Sequence, residues 1–245
     1  MKTLLALLCL SVCAMANQNA LILDIIQDMP KGGGYATNLA SQNALASAIQ
    51  ANNGELIIRA STAKPSYCSG ATYLVLLRLV EHLALDKKLT LPPDAIDALL
   101  MKRQADGKGI WGRWNANGPG TARLFYELEL GPNFQELEKA RAGDFLKIFW
   151  TEEIGKLERG HSVIFLGTET VDGKPHVRFW SSNQEAGYGA KSVPLTKCKI
   201  LLFSRLENLE NLVRASKLPA TDPYLASMLT KSSSQSEMRA KCGIK

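Results

Sequence analysis

Apolar positions along the chain fall into two regimes. Up to about residue 130 they recur at helical spacing, and beyond about 140 they gather in short runs rich in β-branched and aromatic residues. Leu21-Ile22-Leu23-Asp24-Ile25-Ile26 fits a short helix or strand and stops at Pro30-Lys31-Gly32-Gly33-Gly34. A helix is predicted from about Asn38 to Ala51, closed by Asn52-Asn53-Gly54, then a strand over Glu55 to Ala60. Leu74, Leu77, Val80 and Leu83 define a helix that runs from the Cys68 segment to about Leu85, and Pro92-Pro93-Asp94 opens another through Met101. Gly107 to Gly120 is read as irregular, because glycine and proline break both ladders, and a helix follows from Gly120 to Leu130. Strands are predicted over Asp144 to Trp150, His161 to Gly167, Lys174 to Ser182 and Lys197 to Ser204, the middle two joined through Asp172-Gly173. Leu206 to Ser216 and Pro223 to Leu229 look helical, and residues 231–245 read as a polar tail. Helices first and a strand meander afterwards predict an α+β fold, helices packed on an antiparallel sheet.

The start of the chain has its own logic. Lys2 precedes the apolar run Leu4 to Val12, and Ala14-Met15-Ala16 has the small-x-small form of a cleavage site, so residues 1–16 read as a signal peptide. The run is too short to span a bilayer, and no later stretch is read as a membrane span. The expectation is an exported protein, periplasmic or secreted, with lipid attachment at Cys13 as the lesser address. Residues 17–230 then form one catalytic domain with an insertion over 90–135. Loss of the leader leaves Cys68, Cys198 and Cys242, and if the last two pair, Cys68 is the free thiol. The net charge of +6 includes Lys2 and suits anionic wall polymers. Nothing interleaves aromatic and basic residues in the manner of a nucleic-acid surface.

Cys68 carries the chemistry. Pro65 disfavours helix at Lys64 and Ser66 is a natural N-cap, so Cys68 falls in the first turn, where unpaired N–H groups and the helix dipole favour thiolate. An inert core cysteine is the competing reading. A nucleophile needs a base, and only His82, His161 and His176 are available. His82 lies fourteen residues along the same helix, about 20 Å away, and His176 opens the far end of a hairpin. His161 opens a strand, and hairpin pairing sets it beside Ser181, Ser182 or Asn183. Asn183 is the first choice for the group that orients the imidazole, Ser182 the second. Trp111 and Trp114, in the Gly107 to Gly120 segment with Arg113, are expected at a groove rim, the alternative being core plugs beneath a loop. The three histidines have no His-x-x-x-His or Cys-x-x-Cys company, so no metal or other cofactor is expected.

Three segments in order carry a family resemblance. Tyr67-Cys68-Ser69-Gly70 before an apolar helix resembles the Asp-Cys-Ser-Gly motif of NlpC-type papain-like cell-wall cysteine peptidases, with Tyr67 where the motif has aspartate. Ala140-Arg141-Ala142-Gly143-Asp144-Phe145 is similar to their Pro-Gly-Asp-Leu-Val-Phe-Phe segment, and Gly160 to Gly167 to their His-Val-Gly-Ile-Tyr-Leu-Gly strand. The resemblance implies a papain-like fold and hydrolysis of amide bonds in peptidoglycan stem peptides, with Cys68 as nucleophile, His161 as base and backbone N–H groups near Cys68 as oxyanion donors. It also implies that Tyr35 stands near the thiolate, with Tyr67 and Ser69 among the substrate contacts. Asp144 is read as a structural turn residue. The expected protein is a monomer whose partner is the peptidoglycan peptide. A wall-binding module without turnover and a thioester-forming acyltransferase are the alternatives.

Overall fold

The computed structural model describes residues 18–245, so the expected signal peptide over residues 1–16, with Cys9 and Cys13, lies outside the described residues. The chain opens with α1 over 18–28 and passes through β1 (Gly32–Gly33) to α2 (Leu39–Ala48). Here the structure corrects the predicted helix to Ala51: Ile49 leaves helical geometry, and β2 (Ile49–Asn52) pairs with β3 (Glu55–Ile58) in a hairpin. Asn53 and Gly54 both have positive φ, which suits a tight hairpin turn better than a helix cap.

The central helix is α3 (Cys68–Leu85), with the predicted limits. Ala71 and the stretch from Tyr73 to Leu77 are fully buried, so it meets neighbours all round. It packs on β3 and on the sheet. Each such large apolar side chain contributes about 1.5–3 kcal/mol of burial. By length and hydropathy it alone among the described residues could cross a membrane; here it is the core helix. Next come α4 (Pro93–Leu99), with proline in its first turn, α5 (Gly109–Trp114) and α6 (Gly120–Leu128). Leu91, Leu99, Trp114 and Phe125, all within 90–135, join the same core as α3.

Helix α5 overturns the irregular reading of Gly107 to Gly120. Its glycines serve close packing: a Cβ on Gly112 would lie 2.1 Å from the Ala105 carbonyl oxygen. Arg113, fully buried, pairs with Glu127 at 2.8 Å and donates to the carbonyls of Gly107, Gly109 and Pro219, holding the segment from inside.

The remaining strands are β4 (Asn133–Phe134), β5 (Phe145–Phe149), β6 (Ile154–Gly155), β7 (Gly160–Val171), β8 (Lys174–Asn183), β9 (Gly187–Pro194) and β10 (Ile200–Ser204). Seven strands form one antiparallel sheet in the order β1-β9-β8-β7-β5-β10-β4. One face gives Phe145, Ile164, Trp180 and Tyr188 to the core shared with the helices. The other gathers Leu146, Ile148, Val163, Phe165, Val177, Phe179 and Phe203, against which Leu137 and Leu195 pack. The fold is α+β, as the pattern predicted. Asp144, buried at the start of β5, binds Arg205 through two contacts of 2.7 and 2.9 Å and accepts from Asn19 and from the Arg141 N–H, which is a structural set of partners.

The end of the chain is also corrected. After a 3-10 segment (Leu209–Lys217) and α7 (Pro223–Ser227), β11 (Ser232–Ser233) pairs with β6, and α8 (Gln235–Lys241) buries Met238 beside Ile200 and Leu202. Ser234 caps α8 by accepting from the Glu237 N–H, so the polar residues of 231–245 are capping residues and an outer face, not a loose tail. Cys198 and Cys242 are both free thiols, so the conditional pairing is not made.

Candidate active site

Cys68 is the first residue of α3, with Tyr67 as extended N-cap. Tyr67 offers no side-chain cap, and the hydroxyl of Ser66, expected to cap, instead donates to Ser182 Oγ at 2.8 Å. The bond ties the cysteine turn to β8, and neither Ser66 nor Tyr67 caps the first N–H groups of α3 with its side chain. The half-buried Cys68 lines a cleft of ≈ 1140 Å³, together with His161, Ser162 and Asn183 from the sheet and Tyr35, Tyr67 and Ser69.

His161 stands at the start of β7, within hydrogen-bonding reach of the Cys68 thiol. Its Nε2 lies 3.2 Å from Asn183 Oδ1. The amide orientation follows from its other partners: Asn183 Nδ2 faces the carbonyls of Gly189 at 2.8 Å and Ser181 at 3.4 Å, so the oxygen must face the ring. Oδ1 only accepts, so Nε2 carries a proton toward Asn183, and Nδ1 is the nitrogen left to exchange a proton with sulfur. Burial alone would push the Cys68 thiol up. The His161 hydrogen bond and charge, the Ser162 backbone N–H and the charge of Lys147 more than offset it and lower the thiol to about 6.

The register explains why Asn183 meets the histidine. Val171 pairs with Lys174 across the turn, and that register carried without interruption would set His161 opposite Gln184. A bulge between Phe165 and Gly167 takes up one residue, and the pairing then runs Ile164 to Trp180 and onward to His161 beside Asn183. Ser182, the second choice, points to the other face: it is buried against Ser66 and is not the partner of His161. His82 is near Asp86 on the far part of α3, and His176 pairs with Glu169 at the distant end of the hairpin.

Tyr35 reaches the thiol, its hydroxyl donating to Cys68 Sγ at 3.9 Å. Burial first, and then the neighbouring Cys68, hold its phenol well above the usual range. The two tryptophans depart from the rim reading. Trp114 does not line the cleft; it is 1% exposed, and its Nε1 donates to the Ser69 carbonyl at 3.1 Å. Trp111 borders the cleft but is only 2% exposed, with its ring against Tyr67 and Tyr73. Both are core aromatics that support the α3 N-terminus, the role a six-residue helix gives them by turning both rings inward.

Charge is distributed unevenly around the cleft. Lys147 and Glu158 form a largely buried pair at 2.6 Å, and Glu158 also accepts from the N–H groups of Gly118 and Gly155. Asp106 accepts from the Asn117 N–H and makes no salt bridge among the described residues; burial raises its pKa, only partly offset by that N–H and the charge of Lys147. Arg159, Lys191 and Lys197 give the sheet side exposed cations. None of these residues carried a motif, because only the folded loops bring them to one opening. Among the described residues, no three His, Cys, Asp or Glu side chains converge as a metal site. Compared with protein-family models, with curated proteins and with solved structures, the chain matches none.

Proposed function

We propose that this is a papain-like cysteine hydrolase that cleaves amide bonds in peptidoglycan stem peptides outside the cytoplasm. One observation carries the reading: a thiol lowered to about 6, in the first turn of a helix, is within reach of an imidazole whose far nitrogen is held by an amide oxygen. These are the parts of covalent acyl transfer. Cys68 Sγ attacks the amide carbon and the carbonyl π pair moves to oxygen. The proton held at His161 Nδ1 passes to the departing nitrogen as the C–N bond breaks, leaving a thioester. Water then gives its proton to Nδ1 and attacks the thioester carbon, and the S–C bond breaks to restore the thiolate. Asn183 keeps the ring in the tautomer both steps use.

The substrate class rests on the Tyr67-Cys68-Ser69-Gly70 and Gly160 to Gly167 motifs and on the chain's net positive charge. Exposed Arg159, Lys191 and Lys197 at the cleft suit the carboxylates of stem peptides. The test is digestion of purified sacculi by wild type, Cys68→Ala and His161→Ala, with products read by mass spectrometry and the fold by circular dichroism. New amine termini from wild type alone are expected. Binding without cleavage would replace the hydrolase with a wall-binding module, and products carrying an added amine would replace it with an acyltransferase.

A further inference from the structure

Ser69 follows the nucleophile, and its hydroxyl lies 2.6 Å from Asn115 Oδ1. That separation is short for N–H···O and ordinary for O–H···O, so Ser69 donates and the amide oxygen accepts. The orientation of Asn115 is thereby fixed with Nδ2 left over. Asn115 is the C-cap of α5 and lines the cleft beside Cys68 and Ser69, and its Nδ2 has no acceptor among the described residues. On the other flank, the Tyr35 hydroxyl lies within reach of the Cys68 N–H as well as of Sγ. The free cleft therefore holds one oriented side-chain amide donor, unspent, next to the first turn of α3.

We infer that Asn115 is a catalytic residue whose Nδ2 donates to the substrate oxygen as it becomes an oxyanion, with Ser69 as the positioning residue that aims it. The inference rests on the hydrolase reading above. The amide is neutral and already oriented, so it needs no rearrangement when negative charge appears on that oxygen. A donor of this kind acts on the tetrahedral species formed by Sγ attack and leaves ionisation of the thiol alone.

Kinetics on a soluble muropeptide, beside iodoacetamide alkylation of Cys68 across pH, tests this. Asn115→Ala is expected to lower kcat by about 10²–10³-fold with KM nearly unchanged, the usual loss for one oxyanion donor. Asn115→Asp keeps the Ser69 contact but removes the donor and should lose at least as much. Ser69→Ala should lose less, about tenfold, because the amide survives but is no longer aimed. Alkylation forms no oxyanion, so Asn115→Ala and Ser69→Ala should follow the wild-type alkylation profile, whereas the new carboxylate of Asn115→Asp moves it to higher pH by charge alone. Activity of Asn115→Ala within twofold of wild type, a loss confined to KM, or an alkylation profile shifted in Asn115→Ala or Ser69→Ala would each overturn the assignment. A wild type that cleaves no muropeptide would instead remove the hydrolase reading, and this inference with it.

Discussion

Two cysteines sit at opposite ends of helices, and the contrast isolates what makes one of them reactive. Cys68 begins α3 and Cys242 follows the last residue of α8 as its C-cap. Cys242 is buried and Cys68 half-buried in the cleft wall, and at both positions burial by itself raises a thiol. At Cys68 an imidazole, a backbone N–H and a lysine outweigh that rise, and the result is about 6. At Cys242 burial prevails over the charge of Arg123, and the thiol is pushed up to about 12. The difference comes from what faces each sulfur: β5 and β7 bring a lysine, an imidazole and a backbone N–H to Cys68, whereas Cys242 meets mainly burial, with the carboxylate of Asp222 adding to it.

The largest expected effect is the contrast itself. At pH 7, iodoacetamide should label Cys68 at least about 100-fold faster than Cys242 in the folded protein, as followed by peptide mass mapping. Similar rates would erase the distinction. The Cys68 rate should rise with pH through a midpoint near 6, since only thiolate reacts. Next, His161→Ala should slow that labelling at pH 7 by about tenfold to hundredfold and move its midpoint upward, because only the Ser162 N–H and Lys147 then oppose burial. Asn183→Ala should lower kcat by about 10–100-fold, since the ring loses the partner that fixes its tautomer, with a smaller effect on labelling. On the other side of the comparison, Met238→Ala should cost about 2–5 kcal/mol in denaturant unfolding while Cys68 labelling in the native protein stays constant. Tyr35→Phe should change labelling least, by a few-fold, because its contact with sulfur is long at 3.9 Å.

The Cys68 side of this contrast could be read from residue order, whereas Cys242 was expected in a polar tail, and what the order did not show has physical causes. The limits of α3 were legible because Pro65 and an unbroken apolar run mark them locally. Asn183 was reached only as one of three neighbours of His161, since a single bulge near Gly167 decides the register and leaves no clear trace in composition. Helix α5 was illegible because Gly107, Gly109 and Gly112 look like breakers, whereas Gly107 and Gly112 make room for Asp222, Ala226 and Ala105 pressing close and Gly109 takes a positive φ. Strand β9 lacked a signal because Gly187-Tyr188-Gly189-Ala190-Lys191 pairs with β8 on one side and for only two residues with β1 on the other, with little apolar alternation. The final helix was mistaken for a tail because its core contribution rests on Met238 and Cys242, two apolar points among polar neighbours.

Glu158 gathers three donors from separate places: Lys147 on β5, the N–H of Gly118 on a loop and the N–H of Gly155 at the end of β6. Neutralising it as Glu158→Gln would unlatch both banks of the opening and at the same moment leave a lone ammonium close to the sulfur. Durability and thiol acidity would then shift in opposite directions, so a weaker protein would carry the more acidic sulfur. The carboxylate thus acts as a counterweight, holding the entrance together by muting a charge that would otherwise sharpen the nucleophile.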